Sequence, residues 1–389
     1  MSRIGPSGRA SRGPHGLISP HLPHQRRWFR VRLLHLKVTL PLSILGLLLA
    51  GCIGGSEGNE GQGGQAGGQQ GNTLQRVQDR GTLNCGINDA VPGFGVVTPQ
   101  GEYEGFDIDY CRAVAAAVLG DPNAVEFKPV TTEQRFTALQ SGEIDVLIRN
   151  TTWTAERDGA EGATFLHTTF YDGQGMMVPA DSDYRRLEDM DGTTICVLSG
   201  TTTELNLATA FRARNLEHEP LSFEDNETLQ QAFQQGRCDG WTSDKSQLAG
   251  VRSSWPDNQG GPDALRILDE EFSKEPLGPV VRDGDSPWAQ AIDWTVIATI
   301  QAEEFGITSE NVEQMKGDQN EEIRRLLGEE NFDSGLGLPD DFAVQVIQAV
   351  GNYGEIYDRN VGADSPLGLE RGLNDLYTNG GLHYAPPYR

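Results

Sequence analysis

The chain has 389 residues, with 31 Lys and Arg against 56 Asp and Glu and a formal net charge of −25. Eight of the basic residues (Arg3, Arg9, Arg12, Arg26, Arg27, Arg30, Arg32 and Lys37) precede Cys52, where no acid occurs, so the body carries 23 basic residues against 56 acidic ones. Such a body repels phosphate backbones and excludes nucleic-acid binding, whose affinity rests on Lys and Arg. Of the seven histidines only His167, His218 and His383 fall in the body, far apart. With no HxxH, CxxC or HExxH spacing in the body, neither a metal site nor a cofactor is expected.

The basic N-terminal region runs into the apolar stretch Val38 to Ala50, thirteen residues long. A helix needs about twenty residues to cross a bilayer, so this stretch reads as the h-region of an export signal spanning residues 1–51. Leu49-Ala50-Gly51-Cys52 resembles the lipobox of bacterial lipoproteins, which implies that Cys52 becomes the acylated first residue of the mature chain. Arg26-Arg27-Trp28-Phe29 is similar in part to a twin-arginine signal. Residues 53–72 are almost all Gly, Gln, Asn, Glu and Ser. They are expected to form a flexible tether spanning roughly 25 Å, which leaves the body near the membrane but outside it.

Four further cysteines remain, Cys85, Cys111, Cys196 and Cys238, and an even count in an exported chain favours disulfides. Three pairings are open. The preferred one is Cys85–Cys111 with Cys196–Cys238, because each pair then lies within one predicted βα region; free buried thiols are the other reading.

Leu74 to Gly81 reads as a short helix stopped by glycine, and Thr82 to Ile87 as a strand. A helix opens at Gly105-Phe106-Asp107-Ile108-Asp109, carries Ala113, Val114, Ala117 and Val118 as an apolar stripe, and ends at Gly120. Val125 to Phe127 is the next strand. Thr131 to Gln140 is a helix with a Thr-x-x-Gln capping start, and Ile144 to Ile148 is a buried strand. Strands alternating with helices predict α/β layers around a mostly parallel sheet.

The same order restarts after Pro179. Ile195 to Leu198, Leu221 to Phe223, Cys238 to Thr242 and Leu265 to Leu268 read as strands. Thr202 to Arg214, Glu227 to Gln235 and a segment after Asp244 read as helices. Trp288 to Phe305 and Asp341 to Tyr357 then repeat at helical spacing without strands between them, and they are expected to return to the first lobe. The chain therefore crosses between lobes twice, near Asp172 to Val178 and near Lys274 to Gly278. The predicted plan is 73–176 plus 276–389 for one lobe and 177–275 for the other.

Three segments carry the candidate chemistry. Asn150-Thr-Thr-Trp-Thr-Ala-Glu-Arg157 follows a strand, at the end of an open α/β sheet where ligands bind. Its guanidinium is the group best matched to a carboxylate. Ser199-Gly-Thr-Thr-Thr203 joins a strand to a helix, where free N–H groups favour an anion and where Ser or Thr also serve as ordinary caps. Asp244, at another strand end, either holds an ammonium group or caps the following helix. Together these segments match the two charges of a zwitterion.

In that order Gly105-Phe106-Asp107-Ile108-Asp109, Thr152-Trp153-Thr154-Ala155-Glu156-Arg157, Gly200-Thr201-Thr202 and Lys274-Glu275-Pro276-Leu277-Gly278 resemble the landmarks of the family 3 solute-binding proteins. Within that family the likeness is to the general L-amino-acid-binding proteins of polar amino acid ABC importers. The resemblance implies a two-lobed, hinged binding protein in which Arg157 clamps the ligand carboxylate, helped by Thr152 and the backbone around Gly200, Thr201 and Thr202. Asp244, with Asn150, would receive the α-amino group. Phe94 would form an aromatic wall, and Trp153 and Trp241 are candidates to shape the pocket. Where smaller relatives have serines before the clamp, this chain has Arg149-Asn150-Thr151.

The implied partners are a free L-amino acid, of broad polar specificity, and the membrane permease subunits of an ABC importer, with the body acting as a monomer. Ligand-driven closure is the expected mechanism, since each lobe holds part of the site. Two other readings compete with transport. One is an enzyme on the same fold, a dehydratase or lyase with Glu156 as its sole candidate acid; the other is an amino-acid-sensing module that signals through a separate partner.

Overall fold

The computed structural model describes residues 72–330 and 332–389. The signal segment, Cys52 and all but the last residue of the tether lie outside the described residues. Helix α1 (Thr73–Arg80) buries Leu74 and Val77 and stops where Gly81 turns left-handed at φ 69°. Next come β1 (Leu83–Ile87) and an antiparallel meander of β2 (Ala90–Val91), β3 (Gly95–Val97) and β4 (Tyr103–Glu104). The meander lies so close to the start of α2 (Phe106–Leu119) that a Cβ on Gly105 would meet the Phe94 carbonyl oxygen at 2.2 Å. The first pass closes with β5 (Val125–Pro129), α3 (Arg135–Ser141), β6 (Val146–Leu147), α4 (Ala155–Ala160) and β7 (Ala163–Phe165).

Strand β8 (Phe170–Asp172) leads into a second lobe of β9 (Gln174–Pro179), β10 (Thr193–Leu198), α5 (Thr202–Ala213), β11 (His218–Phe223), α6 (Asn226–Gln234), β12 (Gly240–Asp244), α7 (Lys245–Ser253) and β13 (Leu265–Ile267). The chain returns through β14 (Glu275–Leu277) and β15 (Val280–Arg282) to α8 (Ser286–Glu304), the short α9 (Val312–Met315) and α10 (Glu321–Leu326), then α11 (Phe342–Val350) and α12 (Tyr353–Asn360).

The two five-stranded sheets share one plan, β5-β1-β6-β15-β7 and β11-β10-β12-β9-β13. In each lobe the first parallel strand is flanked by the second and third. The strand arriving from the other lobe inserts antiparallel beside the third. Both sheets are therefore mostly parallel with helices around them, as the sequence predicts. Central strands β1, β9 and β10 are nearly all buried, whereas edge strands β5 and β11 carry Glu126, Lys128, Pro129, Glu219 and Pro220. An edge tolerates charge and proline because half its backbone groups need no ladder partner.

Helix α2 is buried along almost its whole length because α8 and α11 pack over it. Val344, Val346, Ile347 and Val350 on α11 are buried against that core, each worth roughly 1.5–3 kcal/mol of apolar transfer. Cys85–Cys111 ties β1 to α2, and Cys196–Cys238 ties β10 to the turn before β12, which is the preferred pairing.

Three local expectations shift. Gln134 N–H does donate to Thr131 Oγ1, but regular helix begins only at Arg135. The strand read over Ile144 to Ile148 pairs regularly only at Val146–Leu147. Asp341 to Tyr357 is two helices rather than one. Gly351 turns left-handed at φ 83°, and Asn352 starts α12 with a reciprocal capping box, bonding Glu355 N–H while the Glu355 carboxylate accepts from Asn352 N–H.

The two crossings of the chain pair with each other: β8 and β14 run antiparallel with Glu275 opposite Asp172. A third segment adds to this hinge. Asn374, in the C-terminal tail, accepts from Tyr171 N–H at 2.7 Å and donates to the Tyr171 carbonyl at 3.0 Å. The tail is held in turn by Arg371, which makes two 3.0 Å bonds to Glu303 and lies over the Tyr353 and Tyr357 rings.

Candidate functional site

Five parallel strands end at one space between the lobes. Asn88 follows β1, Thr132 and Arg135 follow β5, and Arg149, Asn150, Thr152 and Arg157 follow β6. From the second lobe, Leu198, Thr201, Thr202 and Thr203 lie at the end of β10 and the start of α5, and Ser243, Asp244 and Gln247 lie at the end of β12. These residues line one inner chamber. Its carboxyl-end position follows from the sheet topology, since helices cover the other faces. The lobes touch across it, with Thr152 Oγ1 at 3.4 Å from Thr202 Oγ1 and Ser199 Oγ donating to Glu133 at 3.2 Å.

Arg157 sits in the first turn of α4, whose start is capped when Thr154 Oγ1 accepts from Arg157 N–H. One of its Nη atoms donates to the Thr152 carbonyl at 2.9 Å, and burial lowers its pKa. The Thr152 segment is tied to the hinge, because Trp153 N–H donates to the Pro276 carbonyl at 2.8 Å and Thr152 bridges to Leu277. The segment that leads into Arg157 is therefore joined to the hinge strand β14 by backbone hydrogen bonding.

Asn150 adopts φ 33°, a left-handed conformation that few residues besides Gly and Asn take without cost. It is held there by two contacts: its N–H donates to Asp107 at 2.6 Å, and Asn88 donates to its side-chain oxygen at 3.2 Å. Burial pushes Asp107 up to about 7 against the opposing pull of that N–H and of Arg149. Burial also lowers Arg149 to about 10, and Arg149 donates to the Val130 carbonyl and to Thr132.

Asp244 precedes α7 but accepts no capping bond. Burial first, and then the carboxylates of Asp172 and Glu275, raise its pKa well above the ordinary range, while Arg157 and Arg135 pull it down. Of the two readings of Asp244, helix capping is therefore not the role it takes here. At Thr201 the capping reading holds, since its hydroxyl accepts from Glu204 N–H.

Several expected site residues lie elsewhere. Phe94 is buried in the first lobe against Phe106 and Phe170 and does not line the inner chamber. The wall fails because Pro92-Gly93-Phe94-Gly95 turns into the β2–β3 hairpin and carries the ring into the core. Gly200 is exposed with its N–H bonded to the Glu204 carboxylate, so it too lies outside the inner chamber. Trp153 is 43% exposed and stacks on Phe165, and Trp241 is wholly buried in the second lobe's core. Glu156 is exposed and lines only a second, outer chamber.

Conversely, sequence reasoning passed over Thr132, Arg135, Ser243, Gln247 and Asn88 as site residues, and Arg149 was noted only as a departure. The available signal was the strand-end rule itself. It marks Asn88 after β1 and Thr132 after β5, and it extends to Ser243 and Gln247 around the end of β12.

Paired lobes on a two-strand hinge, closing a polar chamber that offers guanidinium and carboxylate groups, define a hinged solute-binding protein. Residues 83–310 match the family model of the bacterial extracellular solute-binding proteins, family 3. The chain is 49% identical over 320 residues to the general L-amino acid-binding periplasmic protein AapJ of Rhizobium johnstonii, covering 82% of this chain and 93% of the relative. It is 49% identical over 319 residues to the glutamate/glutamine/aspartate/asparagine-binding protein BztA of Rhodobacter capsulatus, with the same coverage. A solved periplasmic binding protein of an ABC transporter from Brucella ovis, with glutathione bound, superimposes with a TM-score of 0.78 at 48% identity, over 82% of this chain and 99% of that one. The chain belongs to the family 3 extracellular solute-binding proteins. No helix among the described residues is long and apolar enough to cross a membrane.

Proposed function

We propose that this protein captures free L-amino acids outside the plasma membrane and presents them, in its closed form, to the permease subunits of an ABC importer. One observation carries this reading: Arg157 and Asp244 come from different lobes and line the same chamber, with Arg157 tied by backbone to the hinge strand. In this reading Arg157 holds the α-carboxylate with Thr152 and the N–H groups at the start of α5, and Asp244 with Asn150 takes the α-ammonium. A ligand bound to one lobe gains the rest of its contacts only on closure, so it shifts the population to the closed state by its differential affinity.

Binding without turnover is supported by the relatives, which are solute-binding proteins, and by the outer, exposed position of Glu156. The lobe division expected from the sequence, a monomeric body, and anchorage through an acylated Cys52 complete the proposal. Thermal unfolding of the protein against each of the twenty L-amino acids tests its core, because a ligand that binds only the folded state raises its stability. Shifts with several polar amino acids support it, and no shift with any of them removes it. Fractionation of cells bearing Cys52→Ala, with release of the protein from the membrane fraction, tests the anchor.

A further inference from the structure

The lobes meet at two rims of the ligand chamber. At one, Thr152 and Glu133 of the first lobe face Thr202 and Ser199 of the second through side chains, which can rotate. At the other, α7 of the second lobe runs against the β2–β3 turn of the first, and there backbone meets backbone. Gly250, buried in α7, lies so near Pro92 that a Cβ on it would meet the Pro92 carbonyl oxygen at 2.5 Å and the carbonyl carbon at 3.2 Å. Among the described residues it is the one glycine at which a Cβ would come within 3.0 Å of the opposite lobe's backbone. The contact borders the chamber without lining it: Gln247, one turn earlier on α7, and Asn88, just ahead of β2, are chamber residues, whereas Gly250 and Pro92 are not. Gln247 donates to Asn226 at 2.9 Å, and Asn226 reaches across to the Ala90 carbonyl at 3.5 Å.

Neither side of this contact has room to retreat. Leu248 and Val251 root α7 in the second lobe's core. Behind the turn, Phe106 N–H donates to the Gly93 carbonyl at 2.9 Å and Asp107 N–H to the Phe94 carbonyl at 3.0 Å, with the Phe94 ring buried between them and the core. Glycine is also a poor choice for the helix itself. Inside α7 it loses more backbone freedom on folding than alanine would, so the isolated helix favours alanine at this position. The chain keeps a helix-weakening residue at the one place in α7 where the backbone of the other lobe occupies the space of a methyl group.

We propose that Gly250 is the residue that permits full closure, so that its missing side chain sets the closed fraction of the protein and, through it, the affinity for every ligand. This rests on the hinged-capture reading above. When the lobes part at this rim, a methyl at position 250 meets nothing from Pro92; when they close, it collides with a pinned carbonyl. A side chain there lowers the population of the binding-competent state, and the apparent affinity falls by that same factor whichever amino acid is bound. A chamber residue behaves differently, because its loss weighs on each ligand according to the groups that ligand presents.

The test is calorimetric titration of the purified protein, of Gly250→Ala and of Gly250→Val with L-glutamine, L-glutamate and L-alanine, together with thermal melting of the unliganded forms. Gly250→Ala should bind every one of these that the unaltered protein binds at least about tenfold more weakly, by one common factor, and Gly250→Val more weakly again. The unliganded Gly250→Ala protein should melt at or above the parent, because alanine favours the helix and the parted lobes hold no clash. Unchanged affinity in Gly250→Ala, or a loss that differs between ligands by more than about threefold, overturns the proposal while leaving amino-acid capture standing. So does a lower melting temperature of the unliganded Gly250→Ala protein, or its failure to fold, since either means that the contact with Pro92 is present without ligand and belongs to the packing of the fold. Failure of the unaltered protein to bind any of the three overturns the capture reading and this inference with it.

Discussion

Glu275 of β14 stands directly opposite Asp172 of β8, so each strand of the hinge contributes a carboxylate at the same level of the crossing. Glu275 is fully buried and accepts from Thr202 at 2.8 Å, Asn206 at 2.8 Å and Ser273 at 2.5 Å. Asp172 accepts from the Ser246 hydroxyl, and burial lifts it to about 7. Both hinge carboxylates therefore reach into the second lobe, one to α5 and the other to the start of α7.

Glu275→Ala leaves three donors without their acceptor inside the closed protein. Hydrogen bonds to a charged acceptor are worth about 1.5–3 kcal/mol each, so the variant should lose at least about 3 kcal/mol of stability. Denaturant unfolding reads this directly. Glu275→Gln, which keeps a carbonyl acceptor, should lose less.

Arg157→Ala removes the proposed carboxylate clamp. Truncating one partner of a buried charge pair costs about 2–5 kcal/mol, so ligand affinity should fall by at least about 30-fold in titration calorimetry. The melting temperature of the unliganded protein should change little, since Arg157 makes one structural bond, to the Thr152 carbonyl. Unchanged affinity would remove Arg157 from the site.

Asp244, as the proposed ammonium site, should link binding to pH. In the unliganded chamber burial, Asp172 and Glu275 raise its pKa, so it holds a proton over a range where an ordinary aspartate is ionised. A ligand ammonium favours the ionised form, so binding should release a proton. Affinity should accordingly rise with pH through the titration of the unliganded Asp244 and then level off. Calorimetry in buffers of different ionisation enthalpy measures the release, and Asp244→Asn should bind more weakly and lose the pH dependence.

The Cys196–Cys238 bridge closes a sequence separation of 42 residues, for which the chain-entropy relation gives about 4 kcal/mol. Replacing both cysteines with serine should lower the denaturation midpoint accordingly while sparing the chamber, which neither cysteine lines.

Asn374→Ala should loosen the hinge from the tail. It deletes the bonds in both directions with the Tyr171 backbone and should cost about 1–3 kcal/mol. Faster amide exchange at Tyr171 than in the parent protein would register the change at the hinge strand itself.

The sequence by itself determined the alternation of strands and helices in both lobes, the two chain crossings, the disulfide preference, and Arg157, Thr152 and Asp244 as chamber residues. These are short-range matters of period, cap and strand end, and local patterns record them. It did not determine the break at Gly351, which depends on Asn352 and Glu355 completing a cap, nor where the Phe94, Trp153 and Trp241 rings would lie. Aromatic side chains are apolar enough for either a core or a pocket wall, and only the packing of Phe106 and Phe170 around Phe94 decided that case. Arg135 is the sharpest instance. As a letter in Thr131 to Gln140 it reads as one more helical arginine, and only the convergence of β5 and β6 with α5 left it buried, uncompensated and facing the ligand chamber. Charge balance in a cavity is a sum over residues distant in the chain, so it exists only once the fold has gathered them.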